Sequence, residues 1–527
     1  MTVSLQRPSK GTEWIGLFAL SQVAVMLLAI SNESLWIDEF WTAHFGAMAS
    51  FKAFYELLLV PSGSQTPLHF LHFYLWGHFV PTGELFLRLA NLPLFVAGQL
   101  ALFWALRAYP RKFAVLFLTL SALHPMVWQY ANEARPYIMM YAGAQMILAY
   151  LLNMHAPGVD EQRIEPLFMA LFVVGGILLF GASLLGVFWV FAACVYVALH
   201  HHRHSNWRVL TRGANLPLLA AFLTATALLT AYYLNSLLHG ARASGLVSST
   251  PGTVLFALYE VLGLSGVGPS RLELRATGLA SLRPYAIALL AAGAVVLFTL
   301  ARGLQEANER LGPRKLAIVV AFGLFPVVVV IAAGFAMHWR VLGRHLIATL
   351  PLLNLLLALG LDKLFETDVH RGRAMRWTIA AACLLLLTYS SLSLRFAERH
   401  RKDDYRAAAA IARQGIAQGK RVWWAADSVG AKYYGLPGEF DFMGELTGMH
   451  KPIACIDRPG VQSMANAPMA CLRALSTPDV LILSKPETFD SSGDIAAYLK
   501  AGNFTKVQDL PAFSVWRPVA HAAPVEK

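Results

Sequence analysis

The 527-residue chain is 57% hydrophobic and only 14% charged, with a mean hydropathy of +0.52 and a formal net charge of +12. That balance excludes an ordinary soluble enzyme and describes a polytopic membrane protein. The basic excess falls mostly in short loops between apolar runs, so positive-inside topology explains it better than a nucleic-acid partner.

Arg7 and Lys10 precede the first apolar run, Thr12 to Ile30, which is too long for a signal-peptide core and has no small-residue cleavage site after it. It reads as an uncleaved span with the N-terminus in the cytoplasm. Where it ends, Ser34-Leu35-Trp36-Ile37-Asp38-Glu39-Phe40-Trp41-Thr42 places two adjacent acids between two tryptophans. An ionised carboxylate half-withdrawn from water needs a partner, a metal or a proton to manage. The pair is therefore a candidate catalytic base, with a solvated acidic loop as the alternative. Met48 to Val60, and Pro67 to Val80 with His69, His72 and His78, are too short to span and suit amphipathic helices lying in the outer interface.

Further along, loops with Arg107, Arg111 and Lys112, with Arg203, Arg208 and Arg212, with Arg302, Arg310, Arg314 and Lys315, and with Lys363, Arg371, Arg373 and Arg376 alternate to the cytoplasmic side. They orient about eleven spans, provided that the long run from Leu167 to Leu199 turns back near Gly181 and Ser183. His200, His201, His202 and His204 beside Arg203 form a cytoplasmic flank in preference to a metal tract. On the outer side, Asn132-Glu133-Ala134-Arg135-Pro136-Tyr137 follows the third span and the interfacial aromatics Trp128 and Tyr130. Glu133 and Arg135 are either an ion pair capping a helix or part of a site.

Two outer loops break the positive-inside rule. One carries Arg242, Arg271, Arg275 and Arg283 between Asn235 and Arg283; the other, Met337 to His345, carries Arg340 and Arg344. An anionic ligand accounts for them, arginine being suited to phosphate by its planar fork; pairing with outer carboxylates or lipid head groups is the alternative. After the last span, Trp377 to Leu394, residues 395–527 have the composition of a soluble α/β domain on the outer face. A helix is expected at Asp403 to Gln418, strands at Arg421 to Ala425 and Val480 to Ser484, and a helix at Gly493 to Ala501. Cys455 and Cys471 lie in this domain, where an oxidising compartment permits a disulfide that spacing alone leaves open; Cys194 and Cys383 are thiols within spans.

Carboxylates and arginines gathered at one membrane face suit glycosyl transfer from a sugar carried on a polyprenyl phosphate. A carboxylate takes the proton of the attacking hydroxyl, and arginines stabilise the departing lipid phosphate. There is no Walker or Rossmann glycine motif, so no nucleotide is implied.

Six stretches carry a resemblance: Trp36-Ile37-Asp38-Glu39, Thr66-Pro67-Leu68-His69-Phe70, Glu84 to Arg88, Asn132-Glu133-Ala134-Arg135-Pro136-Tyr137, Arg344-His345-Leu346 before Pro351, and Lys402-Asp403-Asp404-Tyr405-Arg406. In these the chain resembles the membrane-embedded GT-C glycosyltransferases related to dolichyl-phosphate-mannose protein mannosyltransferases and to bacterial aminoarabinose transferases of lipid A. The resemblance implies a GT-C fold and inverting transfer from a polyprenyl-phosphate sugar to a hydroxyl of lipid A or lipopolysaccharide, of a glycan or of a protein. Asp38 is then the base with Glu39 its helper; Glu133, Arg135, His69 and Tyr137 line the pocket; Arg344, with Arg340 and His345, meets the lipid phosphate. No cofactor is implied, and a divalent ion at Asp38 and Glu39 is compatible but not favoured. Many relatives carry a His-Tyr pair in the turn where this chain has Ser183-Leu184-Leu185. A lipid or saccharide flippase is the alternative class, although its polar groups belong near the midplane between repeated halves. A non-catalytic subunit of an envelope complex is a third.

Overall fold

The computed structural model describes residues 12–60, 66–157, 165–239, 248–365, 372–440, 455–457 and 460–519. Among the described residues, seven helical segments are long and apolar enough to cross a membrane: Glu84–Ala108, Tyr137–Met154, Asn215–His239, Arg271–Leu311, Pro313–Ala336, Gly343–Leu364 and Arg373–Phe396. Arg111–Leu123 and Pro125–Ala131 make an eighth if taken as one span bent by 46°. Its break falls at Pro125, which has no N–H to continue the helical ladder, and His124 Nδ1 accepts from the Met126 N–H instead. Shorter apolar helices occupy Trp14–Ala29 and Pro166–Ala182. The protein is multi-pass by helix length and hydropathy. Leucines such as Leu228 and Leu290 stand 68% and 75% exposed on the helix surfaces, an apolar area suited to lipid and not to water.

The long run after Leu167 breaks where its small residues predict. One helix stops at Ala182, Ser183 Oγ accepts from the Leu185 N–H, and the next helix, Gly186–Arg203, begins. At the centre of the bundle Tyr137–Met154 is buried along nearly its whole length. It packs on Pro166–Ala182 through Gly143 and Gly175, where a Cβ on either would lie 2.6 Å from the other's carbonyl oxygen. Only a residue without a side chain permits that approach.

Between the first and second apolar helices lie three short ones, Ile37–Gly46, Phe51–Leu58 and Pro67–Gly77. The latter two are short helices where the sequence leads one to expect them. The first was not expected as a helix, and it puts Asp38 and Glu39 in a first turn, where the helix dipole favours acids.

The C-terminal region is a helix, Tyr405–Ala417, and a mixed five-stranded sheet in the order β2-β1-β3-β5-β4. Its strands are β1 Val422–Ala425, β2 Val461–Ser463, β3 Val480–Ser484, β4 Phe504–Leu510 and β5 Phe513–Pro518. β1 runs parallel to β2 and β3, whereas β5 is antiparallel to β3 and β4, with Ile482 opposite Val515. β1 and β3 are buried throughout and read as unbroken apolar runs, so they are legible in sequence; β4, mostly exposed and irregular near Lys506, is not. Cys455 and Cys471 form a disulfide.

This region is not a detached module. Leu35, Phe40, Phe73 and Leu87 share one apolar core with Tyr405, Ala408, Trp424 and Ile482. Phe40 stands edge-on to Tyr405 and Tyr434, centroids 5.0 and 5.9 Å apart. The sheet is thereby clamped onto the helix that bears the acid pair.

Candidate functional site

The first turn of Ile37–Gly46 sends its two acids into different surroundings. Glu39 is fully buried and accepts from Arg88 Nε at 3.1 Å and Nη2 at 2.9 Å, from the Ala134 N–H at 2.7 Å and from Lys402 Nζ at 3.3 Å. Burial pushes this carboxyl up, but Arg88 and Lys402 outweigh it and hold the group at about 2, below its ordinary 4.5. Arg88 spends its other donors on the carbonyls of Ser31, Glu33 and Ser34. The pair is therefore closed, a fastener between the first loop and the start of the next helix.

Asp38 keeps 29% of its side chain exposed. Its Oδ2 lies 3.3 Å from Arg344 Nη1 and 3.9 Å from Arg135 Nη2, and Arg135 also donates to the Asp38 carbonyl at 3.1 Å. Burial raises the Asp38 pKa, and the charges of Arg135, Arg344 and Lys485 more than reverse this, so the carboxylate is ionised at neutral pH. Arg344 stacks over Trp36 and Tyr137, 5.5 and 5.8 Å from their ring centroids. The Nε–H groups of Arg135 and Arg344 are buried and have no hydrogen-bond partner among the described residues.

Glu133 pairs with Arg271 at 3.2 Å, not with Arg135. Its Oε2 is buried without a hydrogen-bond partner among the described residues, and burial pushes its pKa up by more than Arg271 and Lys402 pull it down. Arg271 also meets Glu260 at 3.1 Å and the Tyr130 hydroxyl at 2.6 Å, while Glu260 Oε2 accepts from the Gly343 N–H at 2.9 Å. That bracket fixes the backbone immediately before Arg344.

The remaining sequence candidates divide. Tyr137 is buried beneath Arg344 and meets Tyr130 edge-on at 4.7 Å. His69 is fully buried behind the acid pair, bonded through Nε2 to Thr42 Oγ1 at 3.0 Å; burial and the charge of Arg135 hold it well below its ordinary value, hence neutral. His345 Nδ1 accepts from the Leu342 N–H at 3.1 Å and caps the turn that presents Arg344. Arg340 is exposed and makes no hydrogen bond or ion pair among the described residues. Asp38, Arg135, Tyr137 and Arg344 thus form one cluster with Glu133 beside it; His69 and His345 buttress it, and Arg340 stands apart.

Arg271 and Arg275 have carboxylate partners, the latter Glu487 at 3.0 Å, so pairing, the alternative to an anionic ligand, accounts for these two. Arg242 lies outside the described residues. Among the described residues no three His, Cys, Asp or Glu side chains are grouped to hold a metal ion.

Sequence reasoning assigned no role to Arg88, Glu260, Lys402 or Lys485. Glu260 carried a signal, as a lone acid in the apolar run Val254 to Leu264. Lys485 carried none, because nothing in its neighbourhood indicates that the residue after β3 pairs with Asp403 beside the first-loop helix. A cleft beside Glu133 is lined by Trp36, Arg271, Lys402 and Lys485, and by Ala29 and Leu394 at the ends of two apolar helices.

No family model matches the chain, and no curated protein matches its sequence. Structural similarity extends over nearly the whole chain to two GT-C membrane glycosyltransferases. The crystal structure of ArnT from Cupriavidus metallidurans, bound to undecaprenyl phosphate, aligns with 97% of this chain and 99% of its own at 14% identity and a TM-score of 0.48. The arabinofuranosyltransferase AftD from Mycobacteria aligns with 98% of this chain and 40% of its own at 16% identity and a TM-score of 0.41.

Proposed function

We propose that the protein is a membrane-embedded glycosyltransferase that moves a sugar from a polyprenyl-phosphate donor to a hydroxyl of a cell-envelope acceptor. The observation that carries this reading is the Asp38 cluster: an ionised carboxylate flanked by two guanidinium groups, each with an unpartnered Nε–H. Those donors suit a phosphate, whose oxygens accept from planar guanidinium forks. The acceptor hydroxyl attacks the anomeric carbon as Asp38 takes its proton. The bond from that carbon to the phosphate oxygen breaks, and its electron pair passes to the phosphate, where Arg344 and Arg135 stabilise the charge. One displacement inverts the anomeric centre. Glu39, with its oxygens already engaged, positions Asp38 without touching the reactants, and Glu133 belongs to the acceptor side of the pocket.

In this reading about eleven helices span the membrane once the shorter apolar helices and Gly186–Arg203 are added to the eight candidates. The N-terminus is cytoplasmic, and the site and the C-terminal sheet face outward from an inner membrane, with the polyprenol among the spans. Lipid A or lipopolysaccharide, a glycan and a protein hydroxyl are all compatible acceptors.

The test compares envelope glycolipids and glycoproteins by mass spectrometry in cells with the wild-type protein, with none, and with Asp38→Asn. Loss of the general base is expected to lower transfer by about 10²–10⁴-fold with the fold intact. Restoration of every missing glycoform at the wild-type level by the variant sinks the assignment.

A further inference from the structure

The strap from Met337 to Leu342 leaves the helix Pro313–Ala336 and enters the short helix that carries Arg344, with no helix or strand ladder of its own. Its backbone N–H groups must therefore find partners elsewhere. Three in succession are met by side chains. The Val341 N–H donates to Ser249 Oγ at 3.0 Å, the Leu342 N–H to His345 Nδ1 at 3.1 Å and the Gly343 N–H to Glu260 Oε2 at 2.9 Å. Ser249 Oγ in turn donates to the Trp339 carbonyl at 2.7 Å. Two of the three acceptors, Ser249 and Glu260, stand just before and near the end of the helix Pro251–Val261, which thereby splints the strap.

Glu260 is the costly member of that splint. It is 1% exposed within the apolar run Val254 to Leu264, where packing gives a glutamate no reason to stand. Its oxygens divide between two partners: Oε1 accepts from Arg271 Nη2 at 3.1 Å, and Oε2 from the Gly343 N–H. Arg271 is itself fixed by Glu133 at 3.2 Å and by the Tyr130 hydroxyl at 2.6 Å, so the Glu260 carboxylate cannot swing away without breaking an ion pair. Its approach to the strap is one that only glycine permits, because a Cβ on Gly343 would lie 2.5 Å from Glu260 Oε2 and 2.7 Å from Glu260 Cβ.

The residue after Gly343 is Arg344, whose guanidinium lies over Trp36 and Tyr137 and 3.3 Å from Asp38. A long side chain is placed only as precisely as the backbone that bears it, and a site borne on irregular backbone depends on the contacts that support it.

We infer that Glu260 is a positioning residue for the donor phosphate: it acts through the Gly343 N–H to hold Arg344 in place and takes no part in the displacement. The inference rests on the transferase reading and adds to it a residue that works one contact away from the reactants. A glutamate buried in an apolar run is thereby explained by the arginine it supports.

The test measures the binding of undecaprenyl phosphate to the full chain in detergent by calorimetry, with the melting temperature read on each variant. Glu260→Ala is expected to weaken binding about tenfold, and Glu260→Gln, whose side-chain carbonyl still accepts from the Gly343 N–H, about threefold. In an Arg344→Ala background, Glu260→Ala should change affinity by less than about twofold, because a residue that acts through Arg344 then has nothing to position. Gly343→Ala, whose added Cβ displaces the same contact, keeps the inference testable should Glu260→Ala fail to fold. It is expected to weaken binding about tenfold alone and by less than about twofold beside Arg344→Ala. Equal losses with and without Arg344 assign Glu260 to the stability of the fold and overturn the inference, as does unchanged affinity in Glu260→Ala. Equal losses in Glu260→Gln and Glu260→Ala overturn the Gly343 contact as its route. Each of these outcomes leaves the transferase reading standing. Failure of the wild-type protein to bind undecaprenyl phosphate counts instead against the transferase reading, and the inference falls with it.

Discussion

Both ends of the helical bundle carry clusters of ion pairs, and they differ in whether the cluster closes on itself. At the end away from the site, Lys112 meets Asp362 at 3.1 Å, Arg310 meets Glu306 at 2.7 Å, and Lys363 meets Glu306 and Glu309 at 2.9 and 3.0 Å. Three cations face three carboxylates there, on helix ends that are partly open to solvent. At the other end Glu39 and Arg88 close completely, but Asp38 shares one oxygen between two arginines whose Nε–H groups find no partner. The same residue types make a fastener where the network is complete and a binding site where donors are left over. The contrast also runs within the acid pair, since adjacent residues of one helical turn fall on opposite sides of that divide.

Substitutions at the two ends can break or sharpen this contrast. The largest effect is expected for Arg88→Ala, which strands Glu39 as a buried, half-paired charge and should cost about 3–5 kcal/mol of stability, read from unfolding in detergent. A loss no greater than that of a solvent-exposed pair would remove the distinction. Next comes Arg344→Ala, expected to lower use of the polyprenyl-phosphate donor by about 10–100-fold with melting temperature nearly unchanged. Unchanged turnover in the folded variant refutes its phosphate role.

A smaller effect is expected from pH. Glu39 is lowered in the fold, so its stabilisation is fully present above its ordinary 4.5 and is lost as pH falls from there towards about 2. Glu133, raised in the fold, acts with the opposite sign, its ionisation costing stability as pH rises through the ordinary carboxylate range. Melting profiles of wild type and Arg88→Ala should therefore diverge above about pH 4.5 and converge as the medium becomes more acid; parallel profiles would show that Glu39 does not depend on Arg88. The smallest effect is expected at the far end, where Lys363→Ala should change stability by no more than about 1 kcal/mol and leave transfer unaltered, because Lys363 and Glu309 are partly solvated and the buried Glu306 keeps Arg310 as its partner. A turnover defect there would mean that the far network communicates with the site.

Much of the architecture was legible in the chain itself. Apolar runs of span length, the break at Ser183, the short helices at Phe51–Leu58 and Pro67–Gly77, and the buried strands β1 and β3 all leave local signatures, because hydropathy and periodicity act over a few residues. The edge strand β4 leaves none, because after the buried Phe504 its residues run exposed without an inward-outward alternation. The outer arginines were legible as anomalies but not as a set, for Arg271 and Arg275 find carboxylates while Arg344 stacks on Trp36 and Tyr137.

What the sequence by itself determined was the inventory: a helical membrane protein, an acid pair after the first apolar run, arginines in the loops between later runs, and a region of different composition after the last one. Which acid closes on Arg88 and which stays available, which arginine Glu133 meets, and that Lys485, just after β3, meets Asp403 were decided only by tertiary structure. Asp38 and Arg344 are 306 residues apart, and Glu133 and Arg271 138. Ionic contacts over such separations depend on how helices and sheet pack, and packing follows from the shape of the whole apolar core, which no local stretch of sequence encodes.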